Sequence, residues 1–94
     1  MSLPKYRARR DTGESAIVDS LTAIGWDCVR LSSGELPDLL CRHRGSGELA
    51  LLEVESGHYK RRRTKGQLDM LRDWGVPIVR TFDEAVAALG SKIA

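Results

Sequence analysis

The feature that most restricts what this chain can become is a pair of short apolar runs, Asp38 to Arg42 and Glu48 to Glu55, joined by Arg44-Gly45-Ser46-Gly47. Neither run is long enough for a helix that buries a stripe, and the segment between them has turn composition. The two are therefore expected to pair as an antiparallel hairpin. Side chains alternate across a strand, so Glu53 and Glu55 leave one face of the second strand and Val54 the other. Asp38 follows Pro37 at the start of the first strand. It falls roughly opposite Glu53 across a ladder whose strands lie about 4.8 Å apart. The hairpin thus gathers carboxylates at one end.

The flanking segments complete an α/β pattern. Asp11 and Glu14 have the spacing of a capping box, and Ile17, Leu21 and Ile24 recur at helical spacing until Gly25, which predicts a helix over residues 12–24. Trp26, Cys28 and Val29 to Leu31 predict a strand, followed by a turn at Ser32-Ser33-Gly34-Glu35. Beyond the hairpin, a basic crossover from Gly57 to Lys65 leads to a helix marked by Leu68, Met70, Leu71 and Trp74 that stops at Gly75. Val76-Pro77-Ile78-Val79 is expected to be a strand, with its Pro near the start or on an edge. Thr81 or Asp83 can cap a last helix carrying Ala85, Val86 and Leu89 before Gly90. Residues 1–10 lack apolar periodicity and are expected to form a basic arm; residues 11–94 are expected to form one domain, since a chain of 94 residues supports a single core.

Composition excludes several classes. Hydrophobic residues at 41% and charged residues at 30% suit a globular domain, and no apolar run approaches the length of a membrane span. No signal sequence is evident, so an intracellular location is expected. Cys28 and Cys41 lack the spacing of a zinc site and are expected to be buried free thiols. The net charge of +2 hides an asymmetry: nine of the fifteen Lys and Arg residues lie in residues 5–10 and 60–65. Basic clusters of this kind point to a polyanionic partner, although either segment alone fits a solvated loop equally well.

Like-charged carboxylates gathered at strand distance repel, so such a cluster needs a cation or must hold protons. Carboxylate oxygens suit Mg²⁺ or Mn²⁺, and such an ion can bind a scissile phosphate and acidify a bound water. A single carboxylate ending a half-exposed strand is the commoner situation, and spacing alone leaves the two readings open.

Taken together, Pro37-Asp38, the hairpin, Glu53-Val54-Glu55, the basic loop, Gln67 with Met70-Leu71, and Gly75-Val76-Pro77-Ile78-Val79-Arg80 form a pattern that resembles the VRR-NUC branch of the PD-(D/E)XK nucleases. The resemblance extends from the helix bearing Glu14 to the last helix. It implies a restriction-endonuclease-like core of order αβββαβ plus a C-terminal helix, with a mixed central sheet flanked by helices. It further implies a metal-dependent endodeoxyribonuclease, structure-specific on branched DNA such as four-way junctions, of the replication and repair type. In that pattern Asp38, Glu53 and the carbonyl of Val54 ligate Mg²⁺ or Mn²⁺, Glu14 is the accessory acid, and Gln67 lies beside the site. Gln67 fits a hydrogen bond between loop and sheet nearly as well. Glu55 stands where the family usually has Lys. It could hold a second ion or act as a base, Lys60 or Lys65 could supply the missing charge, or catalysis could be lost with nucleic-acid binding retained.

Lys60, Arg61, Arg62, Arg63 and Lys65, with Arg9 and Arg10 of the arm, are the expected DNA-binding cations, and their contacts should weaken with salt. His58 is expected at the surface and Tyr59 in packing or stacked on a base. Trp26, Trp74 and Phe82 are expected to be core or interface anchors. The small core and a two-stranded substrate favour a homodimer. Small size and the resemblance suggest a phage or mobile-element source.

Overall fold

In the computed structural model, which describes residues 12–32, 34–55 and 63–93, the chain runs α1 (Thr12–Ala23), β1 (Trp26–Arg30), β2 (Leu39–His43), β3 (Leu49–Val54), α2 (Lys65–Trp74), β4 (Ile78–Val79) and α3 (Phe82–Ile93). This is the expected element order. The expected arm at residues 1–10 and the capping role of Asp11 lie outside the described residues.

The strands form one mixed sheet in the order β1-β2-β3-β4. The pairs β1/β2 and β2/β3 are antiparallel, and β3/β4 is parallel. Antiparallel neighbours need only a tight turn, whereas the parallel pair requires a crossover, and α2 lies in that connection. The hairpin register sets Leu39 against Leu52 and Arg42 against Leu49. Gly47 closes the turn with φ 79°, a conformation that disfavours a side chain, and donates its N–H to the carbonyl of His43 at 2.8 Å.

One face of the sheet carries the core. Leu39, Cys41, Ala50, Leu52, Val54 and Val79 pack with Ile17 and Leu21 of α1 and with Ala85 and Leu89 of α3. Trp26 joins this cluster and meets the His43 ring edge-on, with centroids 5.0 Å apart. The opposite face is only partly covered. Val29, Leu49 and Ile78 are exposed there, and α2 buries only Leu71. Leu40, Leu49, Leu51, Trp74, Val76 and Pro77 line an open groove of about 400 Å³. Phe82 packs against the core as expected. Trp74 does not, being 69% exposed.

Local signals account for most helix ends. The side chain of Thr64 accepts the N–H of Gln67 while the side chain of Gln67 accepts the N–H of Thr64, so α2 starts on a full capping box. Gly75 ends it in the left-handed conformation, φ 64° and ψ 38°. Thr81 Oγ1 accepts the N–H of Glu84 at 3.1 Å at the start of α3. The expected stop at Gly90 is not used, because α3 continues to Ile93. A helical Gly costs only about 1 kcal/mol, and Leu89 beside it is anchored in the core.

Leu52 is wholly buried between the sheet and its two helices. Leu52→Ala is expected to lower unfolding free energy by about 2–5 kcal/mol, read from the midpoint shift in urea at unchanged slope.

Candidate active site

Asp38 stands one step before β2, and the hairpin register carried one residue further sets it against Glu53. Both of its oxygen-bearing groups tie it to neighbouring strands. Its main-chain carbonyl accepts the N–H of Leu31 at 2.8 Å, and its side-chain Oδ2 accepts the N–H of Val54 at 2.8 Å. Buried Pro37, which holds the preceding backbone extended, delivers it to this point. The preceding turn docks through Glu35, whose carboxylate lies against Gly66 in the first turn of α2, where a Cβ would collide with it. A carboxylate is favoured at that end of a helix.

Glu53 leaves the sheet on the side away from the main core and is nonetheless only 2% exposed. Its N–H donates to the carbonyl of Pro77 at 3.0 Å, and the N–H of Glu55 to that of Val79 at 2.9 Å, so β4 fixes the backbone on which both acids sit. A buried carboxylate is tolerated only when paired. Arg63 provides the pairing: its Nε donates to Glu53 Oε2 at 2.7 Å and its Nη1 to Glu55 Oε1 at 3.2 Å. Arg80 Nη2 approaches the other oxygen of Glu55 at 3.7 Å. The Arg63 side chain is 8% exposed and its Nη2 is buried without a hydrogen-bond partner. Burial works against the charge on Arg63, but the bonds it donates to Glu53 and Glu55, with their negative charges, outweigh it and hold the guanidinium above its already high ordinary pKa.

Arg63 was expected among the cations facing DNA. The structure turns it inward, because it immediately precedes the capping residue Thr64 and its backbone is fixed at the mouth of the acid cluster. The signal was present in the sequence as two acids on one strand face, a combination that calls for a counter-ion, next to a capping box that positions one. Lys65 points elsewhere, pairing with Asp69 at 3.0 Å with its own side chain 88% exposed. Lys60, Arg61, Arg62, His58, Tyr59, Arg9 and Arg10 lie outside the described residues.

The remaining candidates separate from this cluster. Glu14 Oε2 accepts Arg30 Nε at 2.9 Å, and Arg30 also reaches Ser15. Glu14 is therefore bound at the end of β1 and is not gathered with Asp38 and Glu53; among the described residues no three His, Cys, Asp or Glu side chains form a group that could hold a metal ion. Gln67 serves the start of its own helix through the capping box. Two carboxylates facing across a ladder beside the carbonyl of Val54 still present hard oxygen donors of the kind Mg²⁺ and Mn²⁺ favour, and Glu53 could join such a set by exchanging its bond to Arg63.

No family model, curated protein or solved structure matches the chain. Among the described residues no helix is long and apolar enough to cross a membrane.

The Glu53–Arg63 pair can be tested directly. Arg63→Met leaves Glu53 charged and buried, and is expected to cost about 3–5 kcal/mol. Adding Glu53→Gln should recover much of that loss, so a double-mutant cycle by urea unfolding is expected to show strong coupling between the two positions.

Proposed function

We propose that the chain is a divalent-metal-dependent DNA endonuclease with a PD-(D/E)XK core of the VRR-NUC type, acting on branched DNA such as four-way junctions. The observation that carries this reading is the juxtaposition of Asp38 and Glu53 across the β2/β3 ladder, at the edge where the basic crossover leaves the sheet. Asp38, Glu53 and the Val54 carbonyl are the groups that would hold Mg²⁺ or Mn²⁺, while Glu14 stays with Arg30. When bound, the ion supplies a Lewis acid for the scissile phosphate and lowers the pKa of a coordinated water.

The side chains have separate tasks in this reading. Asp38 and Glu53 provide negative oxygens at fixed positions, because the sheet holds the backbone of both. Glu55 keeps hold of Arg63 through Nη1 when Glu53 exchanges its bond for the ion, so a planar, permanently charged group stays beside the site. Arg63 then supplies the positive charge that Lys provides in the resembled family, and can donate to a phosphate oxygen as negative charge develops. This assigns to Arg63 a task for which Lys60 and Lys65 were the sequence candidates. The remaining basic residues of the crossover and arm would follow the phosphate backbone. The exposed Trp74 and Leu49 offer apolar surface for a homodimer.

A second reading, a catalytically silent nucleic-acid-binding module, is favoured by the same ion pair, since Arg63 already neutralises Glu53. The two are separated by incubating labelled four-way junction, flap and duplex DNA with Mg²⁺, Mn²⁺ or EDTA. The nuclease reading expects metal-dependent cutting that Asp38→Ala and Glu53→Gln each reduce at least ~100-fold, the scale of loss when a transition-state stabiliser is removed. Tight, salt-sensitive binding with no cutting under any metal would leave the binding module. A further outcome concerns the charge itself. Arg63→Gln should depress cutting, and the double variant Glu55→Lys with Arg63→Gln should restore part of it, because a cation then rises from the strand position beside Glu53.

A further inference from the structure

Away from the acid cluster, β1 and β2 set two thiols side by side. Cys28 and Cys41 are direct register partners, and their Sγ atoms lie 3.7 Å apart. The kind of pair they form follows from the ladder. Leu31 N–H donates to Asp38 at 2.8 Å and Arg44 N–H to Gly25 at 2.9 Å, at opposite ends of the same register. Hydrogen-bonded and non-hydrogen-bonded pairs alternate along an antiparallel ladder, so Val29/Leu40 and Asp27/Arg42 belong to the first kind and Cys28/Cys41 to the second. In non-hydrogen-bonded pairs the Cα atoms are about 4.5 Å apart, at the short end of the roughly 4.4–6.8 Å span that a disulfide bridges.

The two thiols are not equivalent. Cys41 is wholly buried, whereas Cys28 is partly exposed at the margin of the core. The hydrogen bond between the two sulfurs draws the pKa of Cys28 down against the opposing effect of burial. The same bond, with burial, pushes that of Cys41 up. Thiolate character therefore concentrates on the accessible sulfur, where an oxidant arrives first.

We propose that Cys28 and Cys41 form a reversible redox modification site, with Cys28 the sulfur that reacts with a peroxide and Cys41 the sulfur that resolves it into an intramolecular disulfide. The Cys28 thiolate attacks one peroxide oxygen and the O–O bond breaks. Cys28 becomes a sulfenic acid, and the departing hydroxide takes up the proton that the thiol had released, giving water. The Cys41 sulfur then attacks the sulfenic sulfur, forming the S–S bond and expelling a second water with the Cys41 proton. The two sulfurs together lose two electrons and the peroxide gains them. The separation lies within the span that a disulfide bridges, so the link forms without breaking the ladder. The link would join the edge strand to its neighbour and close the loop that carries Pro37 and Asp38. This assignment is independent of the proposed nuclease activity.

The experiment treats the reduced, native protein with hydrogen peroxide, then unfolds it, alkylates it with a maleimide and weighs it intact. The expected product has lost two hydrogens, takes up no maleimide, and regains both reactive thiols after dithiothreitol. Cys41→Ser should stop at a sulfenic acid on Cys28 that dimedone traps, and Cys28→Ser should leave Cys41 reduced. Parent protein that keeps two alkylatable thiols, or gains oxygen without losing two hydrogens, overturns the proposal.

Discussion

A carboxylate removed from water organises one end of this molecule. Glu53 is 2% exposed on a strand bordered by neighbours on both sides, and its charge is met by a guanidinium from the far side of the crossover. That pairing has to be delivered accurately, and the delivery depends on ordinary local chemistry. The capping box of Thr64 and Gln67 fixes where α2 begins, so the residue before it reaches the acids with one bond to each. Buried ion pairs contribute little net stability against a well-packed apolar alternative, while losing one partner is costly. A small domain with a limited core has therefore placed an arrangement at this corner that is costly to lose and adds little stability of its own.

The rest of the fold is lopsided in a way that suits such a corner. Two helices cover one face of the sheet, with the core between them and the strands, while α2 covers the other face thinly. Apolar side chains are left facing solvent there, including Trp74 and Leu49, around a groove rather than a packed interior. The acids and their arginines lie on this less covered side, whereas the two cysteines belong to the packed one. Polar chemistry and apolar packing are thus separated by the thickness of a single sheet.

Much of this was legible in the residues. Alternation in Leu49 to Glu55, the Gly-containing turn before it and Gly75 after α2 fixed the hairpin, the facing of Asp38 and Glu53, and the end of the helix. Less legible were features that depend on where long side chains go. Arg63 reads as one more cation in a basic run; only the burial of Glu53, a tertiary property, decides that it turns inward. Glu14 carries the right spacing on α1 yet is held by Arg30, a partner far away in sequence that the sheet brings near. Trp74 has the helical spacing of a core residue, but the face it would fill lacks a second layer. Gly90 has the composition of a stop, and the anchoring of Leu89 carries the helix past it.

The parallel strand β4 spans only Ile78–Val79, yet the carbonyls of Pro77, just before it, and of Val79 accept the amides of Glu53 and Glu55. The antiparallel part of the sheet is longer and shares its register across three strands. The parallel seam between β3 and β4 has two register pairs, against five and four in the antiparallel ladders. The acid cluster consequently straddles two kinds of pairing, with Asp38 held against the antiparallel ladder and Glu53 and Glu55 hung by their amides on a two-residue parallel strand.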